Sequence, residues 1–235
     1  MTTLRAAALY PELMNIYADR GNIAILRARC EWRGLGFELA SSSLGEELDP
    51  AAHDLLYIGG GQDRDQVAVA EDMTATKRDA LHAAADRGAV VLAVCGGYQL
   101  LGHSYQLGEQ TLPGVGLVDL HTVREDGPRL IGNCAIESDL GVIAGFENHG
   151  GRTYLGSGEQ PLGKVLSGHG NNGKDGHEGV RRANVIGTYL HGPLLPKNAW
   201  LADRLIELAL GIELEPLDDR LEDAAHGSAR RAAGV

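Results

Sequence analysis

The sequence is short of the residues that would mark a secreted, nucleic-acid-binding or membrane-spanning protein. Its 235 residues include three cysteines, Cys30, Cys95 and Cys134. That odd, sparse set has no C-x-x-C pair, which argues against a disulfide framework or a thiolate zinc centre and for a reducing compartment. Aromatic residues make up only 5% of the chain, too few for the stacking platforms of single-strand binders. A net charge of -11 disfavours a nucleic-acid or anionic-membrane surface. Residues 1–8 lack the apolar core of a signal peptide, and no apolar run approaches membrane-spanning length. The expected location is the cytoplasm.

What remains is an ordinary globular composition, 43% hydrophobic and 23% charged, at a length suited to one large α/β domain. Residues 1–215 are read as that domain. The charged, alanine-rich residues 216–235 carry no strong apolar pattern and read as a C-terminal tail, either flexible or holding a partner.

The stretch around which the chain is organised is A-V-V-L-A-V-C-G-G-Y-Q-L-L-G at residues 89–102. Its unbroken apolar run suits a strand buried on both faces of a parallel sheet. Cys95 follows at once, then Gly96 and Gly97, then residues that can begin a helix. Strand, sharp turn bearing a nucleophile, and helix form the elbow of the hydrolases, with Ala93 and Gly97 small enough for the bend. At the start of that helix the thiolate is favoured over the thiol, and the Gly96 amide can hold an oxyanion. An isolated cysteine ending a strand is more often core; the paired glycines and the polar Tyr98-Gln99 shift the balance to a nucleophile.

Three further strands are predicted at residues 4–10, 37–41 and 54–58, with helices at 22–33 and 67–87. This alternation of strand and helix indicates a doubly wound, mostly parallel α/β sheet, in which ligands bind at the carboxyl ends of strands. Residues 11–21 read as a loop. Gly59, Gly60 and Gly61 end the third strand, where they could hold a phosphate, complete an oxyanion hole or simply form a tight turn. They match neither a G-K-[ST] phosphate loop nor a dinucleotide fingerprint. From residue 112 to 187 the texture changes to short β-like segments at 116–123, 129–136 and 142–146. Residues 168–179 read as a surface loop whose His169 and His177 match no metal-ligand spacing, so no metal or other cofactor is expected. A last strand, 185–190, ends at His191, and an amphipathic helix is predicted over 198–210. His191 leaves an apolar strand as Cys95 does, so the two can converge on one sheet edge, sulfur beside imidazole.

Three segments carry a resemblance: V-C-G-G-Y-Q-L-L-G, G-F-E-N-H-G-G-R-T-Y and Y-L-H-G-P-L-L-P-K-N. With them the chain resembles the class I glutamine amidotransferases of the CobB/CobQ-like group, whose fold is flavodoxin-like. L-Y-P-E-L-M-N-I-Y-A-D-R-G-N, R-L-I-G-N and G-N-N-G-K-D-G-H-E-G narrow the resemblance to the glutaminase subunits of lipid II isoglutaminyl synthases. The resemblance implies that Cys95 attacks the side-chain amide of L-glutamine to form a γ-glutamyl thioester, with His191 as proton carrier. It places Gly60 and Gly96 at the oxyanion and Arg129 on the substrate. A guanidinium suits the glutamine α-carboxylate. Gln99, Asn148 and His149 would line the same pocket.

Many class I members carry Glu two residues after the histidine; here that position is Pro193, and the resemblance suggests that a partner subunit supplies the carboxylate. The implied partner is a Mur-ligase-like synthetase of MurT type. It would use ATP to activate the D-glutamate α-carboxyl of lipid II for conversion to D-isoglutamine in peptidoglycan synthesis. This chain has no ATP-binding motif of its own. Two alternatives stand beside this: a CobB/CobQ-type amidotransferase of corrinoid synthesis, less expected because the chain opens on the amidotransferase segment, and a non-catalytic glutamine-binding subunit.

Overall fold

A computed structural model describes residues 1–15 and 20–235; residues 16–19, part of the loop expected at 11–21, lie outside the described residues. The first half of the chain alternates as expected: β1 (Thr3–Leu9), α1 (Arg20–Glu31), β2 (Gly36–Ser42), β3 (Leu55–Ile58), α2 (Asp63–Asp72), α3 (Arg78–Asp86), β4 (Val90–Val94) and α4 (Gly96–Leu101). Then come β5 (Ser104–Leu107), β6 (Gln110–Pro113), β7 (Leu120–Arg124), β8 (Leu130–Ser138), β9 (Gly141–His149), β10 (Gly151–Leu155), β11 (Gly163–Ser167) and β12 (His177–Glu178). The chain finishes with β13 (Val180–Arg182), β14 (Val185–Thr188), α5 (Leu194–Lys197), α6 (Ala199–Leu210) and α7 (Arg220–Ala233).

The central sheet runs β2-β1-β3-β4-β14-β13, parallel except for β13 at its edge. Its five parallel strands follow the flavodoxin-like order 2-1-3-4-5, the doubly wound arrangement read from the sequence. β3, β4 and β14 are buried along their whole length, as continuous Val/Leu/Ile runs require when helices cover both faces. The textural change after residue 102 is an insertion of two four-stranded sheets, β10-β7-β5-β6 and the antiparallel β12-β11-β8-β9. The second places β9 beside the end of β14, through paired backbone bonds between Phe146 and His191.

Three expectations need correction. The helix read over 67–87 is two helices joined by a π-helical turn at Met73–Lys77. There Lys77 is buried and reaches the Ser43 carbonyl (3.0 Å) and Asp72 (2.7 Å). The loop at 168–179 is only half a surface loop. Asn171 and Asn172 are buried, and Asn171 ties the loop to Tyr98 (3.1 Å) and to both backbone groups of Gly179. The expected flexible tail instead forms α7, packed on β8, β9 and α5. Charge explains that helix better than hydrophobicity. Glu222 and Asp223 sit in the first turn, Arg230 and Arg231 in the last, and Gly234 closes it at φ +83°. Those placements complement the helix dipole and satisfy its final carbonyls.

Candidate active site

β4 runs straight into Cys95, which adopts φ +52° and ψ -107°. A side-chain-bearing residue avoids that region at a cost on the order of 1–3 kcal/mol. The surroundings enforce it. Cys95 N donates to the Thr188 carbonyl at 2.8 Å, Gly97 N to the Gly59 carbonyl at 3.1 Å, and Gln99 N to the Cys95 carbonyl at 3.1 Å. The bend also demands the two glycines that follow. A β-carbon on Gly97 would stand 2.6 Å from the Ile58 carbonyl oxygen, and one on Gly96 would stand 2.0 Å from Gln66 Nε2. The elbow read from the sequence is therefore present, with Cys95 6% exposed at the carboxyl end of the central strand. α4 is six residues long, so its first amides matter more than its dipole.

β14 lies beside β4 in parallel register, Thr188 against Val94. Tyr189, Leu190 and His191 consequently leave the sheet at the edge where Cys95 stands. The sequence reading expects the Cys95 and His191 side chains to converge at this edge. His191 is 1% exposed, and its backbone is clamped by Phe146 in both directions, at 2.9 and 3.1 Å. The Phe146 ring meets the imidazole edge to face at 5.9 Å. Burial, followed by the electrostatic influence of His149, Lys197 and Arg129, lowers the His191 pKa from 6.5 to about 4. The ring is thus neutral near pH 7 and able to take a proton.

The glycine triplet ends β3 on the same edge, with Gly59, Gly60 and Gly61 all buried. The Gly61 amide nitrogen is 3.1 Å from where a Gly96 β-carbon would sit, so backbone amides from β3 and from the elbow crowd one point. Such a cluster of N–H groups beside a thiol can stabilise an oxyanion.

Arg129, exposed just before β8, donates through Nε to Asn148 Oδ1 (2.8 Å) and through Nη2 to the Asn148 carbonyl (2.7 Å). Asn148 lies on β9, the strand whose Phe146 pairs with His191. His149 and Gln99 stand deeper. The His149 ring stacks on Tyr189 at 3.5 Å, with Nδ1 2.8 Å from the Gly151 carbonyl and Nε2 3.6 Å from Glu147. Gln99 accepts from Gln66 (3.0 Å) and donates to the Tyr189 hydroxyl (3.1 Å). That hydroxyl continues to Thr153 (2.6 Å) and on to Thr122 (2.8 Å). Both side chains therefore meet at Tyr189, two residues before His191. His169 and His177 take no part in this site.

Sequence reasoning missed two buried carboxylates. Glu147 accepts from the His169 and Gly170 amides at 2.6 and 3.0 Å. Glu178 accepts from the Tyr189 amide (2.6 Å) and the Thr188 hydroxyl (2.9 Å), which fixes the segment leading to His191. Burial pushes the Glu178 pKa up to about 8. Its only signal in the sequence is an acid between His177 and Gly179.

Residues 5–199 match the CobB/CobQ-like glutamine amidotransferase domain. Over 210 residues the chain is 40% identical to the GatD subunit of the glutamine-hydrolysing lipid II isoglutaminyl synthase of Streptococcus pneumoniae, spanning 88% of this chain and 80% of that one. It is 42% identical over 208 residues to the same subunit of Staphylococcus aureus, spanning 86% and 84%. A probable cobyric acid synthase of Methanopyrus kandleri is 42% identical over 127 residues, but only 24% of its length is matched. In fold the chain is similar to PurLQS of Thermotoga maritima, at TM-score 0.60 and 20% identity over 90% of this chain and 99% of that one. With a strained cysteine elbow, a neutral histidine on the neighbouring strand and a family match over most of its length, the chain belongs to the CobB/CobQ-like glutamine amidotransferases.

Proposed function

We propose that this protein is the glutaminase subunit of a lipid II isoglutaminyl synthase. The Cys95 sulfur attacks the side-chain amide carbon of L-glutamine while His191 takes the thiol proton. The oxygen that becomes negative lies against the Gly96 amide and the amides of the triplet around Gly60. As the tetrahedral adduct collapses, the C–N bond breaks and His191 returns the proton to the departing ammonia, leaving a γ-glutamyl thioester. Water, deprotonated by His191, then releases glutamate and restores the thiol. Arg129, positioned by Asn148, holds the α-carboxylate, and Gln99 and His149 keep the pocket wall in register.

The ammonia passes to a Mur-ligase-like, MurT-type partner that uses ATP to activate the D-glutamate α-carboxyl of lipid II. Pro193 stands where many class I members carry an orienting Glu, so His191 gains its orienting carboxylate from that partner. Addition of the partner is then expected to raise glutaminase turnover. The observation that carries the proposal is the backbone bond from Cys95 to Thr188, which locks the thiol-bearing elbow to the strand that delivers His191.

The test is amidation of lipid II by the reconstituted complex with ATP, supplied with either glutamine or ammonium chloride. Cys95→Ser should abolish the glutamine-dependent reaction and leave the ammonia-dependent one intact. Glutamine-dependent amidation that survives Cys95→Ser would overturn the proposal.

A further inference from the structure

We infer that Asp63 receives the α-ammonium group of the substrate and so makes the site selective for an amino acid over a simple amide. The inference deepens the glutaminase reading and rests on it. Asp63 opens α2, separated from the glycine triplet only by the N-cap residue Gln62. One turn later on the same face, Gln66 lies against Gly96 at the elbow and bonds Gln99. The face that carries Asp63 is therefore the face turned to Cys95.

Opposite Asp63 stands Arg124 at the end of β7, with Nη1 3.3 Å from Asp63 Oδ2. The Arg124 guanidinium covers Gly150, where a β-carbon would come within 2.5 Å of it. Tyr105 is influenced by Asp63, Arg124 and Cys95 together, which ties the ion pair to the neighbourhood of the thiol. The segment Asn148–Gly150 thus carries one guanidinium at each end, Arg129 and Arg124, and among the described residues Asp63 is the carboxylate paired with Arg124.

An L-glutamine side chain directed at Cys95 must leave its zwitterionic head at this mouth. A carboxylate head meets the guanidinium groups of Arg129 and Arg124 there, and an ammonium meets the Asp63 carboxylate. The Asp63–Arg124 pair is long and half exposed, at 46% and 35%. Such pairs contribute little to stability, so exchanging the guanidinium for a substrate ammonium costs the protein little.

The experiment compares L-glutamine with glutaramate, which keeps the amide and the terminal carboxylate but lacks the amine, in the complex with its synthetase partner. The unaltered complex should prefer glutamine in kcat/KM by on the order of a hundredfold. Asp63→Asn should shrink that preference about tenfold or more, through a higher KM for glutamine at nearly constant kcat, and move glutaramate little. Asp63→Glu, which restores the charge, should recover part of the preference. Equal losses on both substrates in Asp63→Asn, or an unchanged preference, would overturn the inference while leaving the glutaminase reading standing. Absence of glutamine hydrolysis in the unaltered complex would instead overturn both.

Discussion

Cys95 is held in a conformation that glycine adopts freely, and this reverses an ordinary order of stabilities. In most strand and helix positions Ala is more stable than Gly by about 0.5–1 kcal/mol. At φ +52° and ψ -107° an alanine keeps the β-carbon clash and glycine removes it. Cys95→Gly should therefore be more stable than Cys95→Ala by about 1 kcal/mol, as read from paired denaturant titrations, although both are inactive. An equal or lower stability for the glycine variant would show that the elbow is unstrained. His191 offers a second prediction at this scale. Its pKa of about 4 puts the acidic limb of glutaminase kcat/KM well below pH 6.5. Lys197 is one of the cations that hold it there, and Lys197→Met should move that limb upward by about half a pH unit. The sign for stability follows. Unfolded His191 binds its proton near pH 6.5 and the folded ring near 4. Its contribution is present in full above 6.5 and is lost as pH falls through the folded value.

Between residue and fold stands the short segment after β14, whose path is set by a carboxylate the sequence did not advertise. Glu178 ties the Thr188 hydroxyl and the Tyr189 amide, three and two residues before His191. Glu178→Ala would leave both donors buried without an acceptor, at about 1–3 kcal/mol each, and should lower glutaminase activity with stability. Glu178→Gln separates packing from charge. The folded pKa is raised from 4.5 to about 8, so the acid's contribution is complete below 4.5 and lost as pH rises through 8. The stability of the unaltered protein relative to Glu178→Gln should therefore fall between pH 6 and pH 9; a gap constant with pH would mean that Glu178 does not titrate in that range. Elements of this kind also mark what the sequence could convey. β3, β4 and β14 were legible because a strand buried on both faces must be apolar throughout. The residues that end them, the triplet, Cys95 and His191, were legible because strand ends in a parallel sheet share an edge. β5, β6, β11 and β13 are short and mix polar with apolar residues, so no period emerges. Glu147 and Glu178 are satisfied by partners remote in sequence, and nothing local announces such a pairing.

For the molecule as a whole, the question is what α7 does, since charge and alanine alone suggested a tail. Arg29, buried on α1, donates to Asp203 of α6 (Nε at 2.7 Å) and to Asp219 just before α7 (Nη2 to Oδ2 at 2.8 Å). One guanidinium thereby joins the first helix of the chain to the last two. At its far end α7 receives a bond from Asn133 of β8 to the Ala232 carbonyl (3.0 Å), and midway His226 Nδ1 meets the Lys197 carbonyl at 2.9 Å. The helix therefore braces the antiparallel insertion and the segment next to His191 against the central domain. Deleting residues 218–235 removes Asp219, one of the two carboxylates that Arg29 bonds among the described residues, and uncovers the strands beneath. The loss should be about 2–4 kcal/mol, which for a domain of this size lowers Tm by about 5–15 °C. Asp219→Asn alone should account for part of that fall, because it weakens the Arg29 bridge while leaving the helix in place. Thermal unfolding of the three proteins side by side decides the matter: an unchanged Tm on truncation would mean that α7 merely rests on the surface, whereas a graded loss identifies it as part of the cooperative fold.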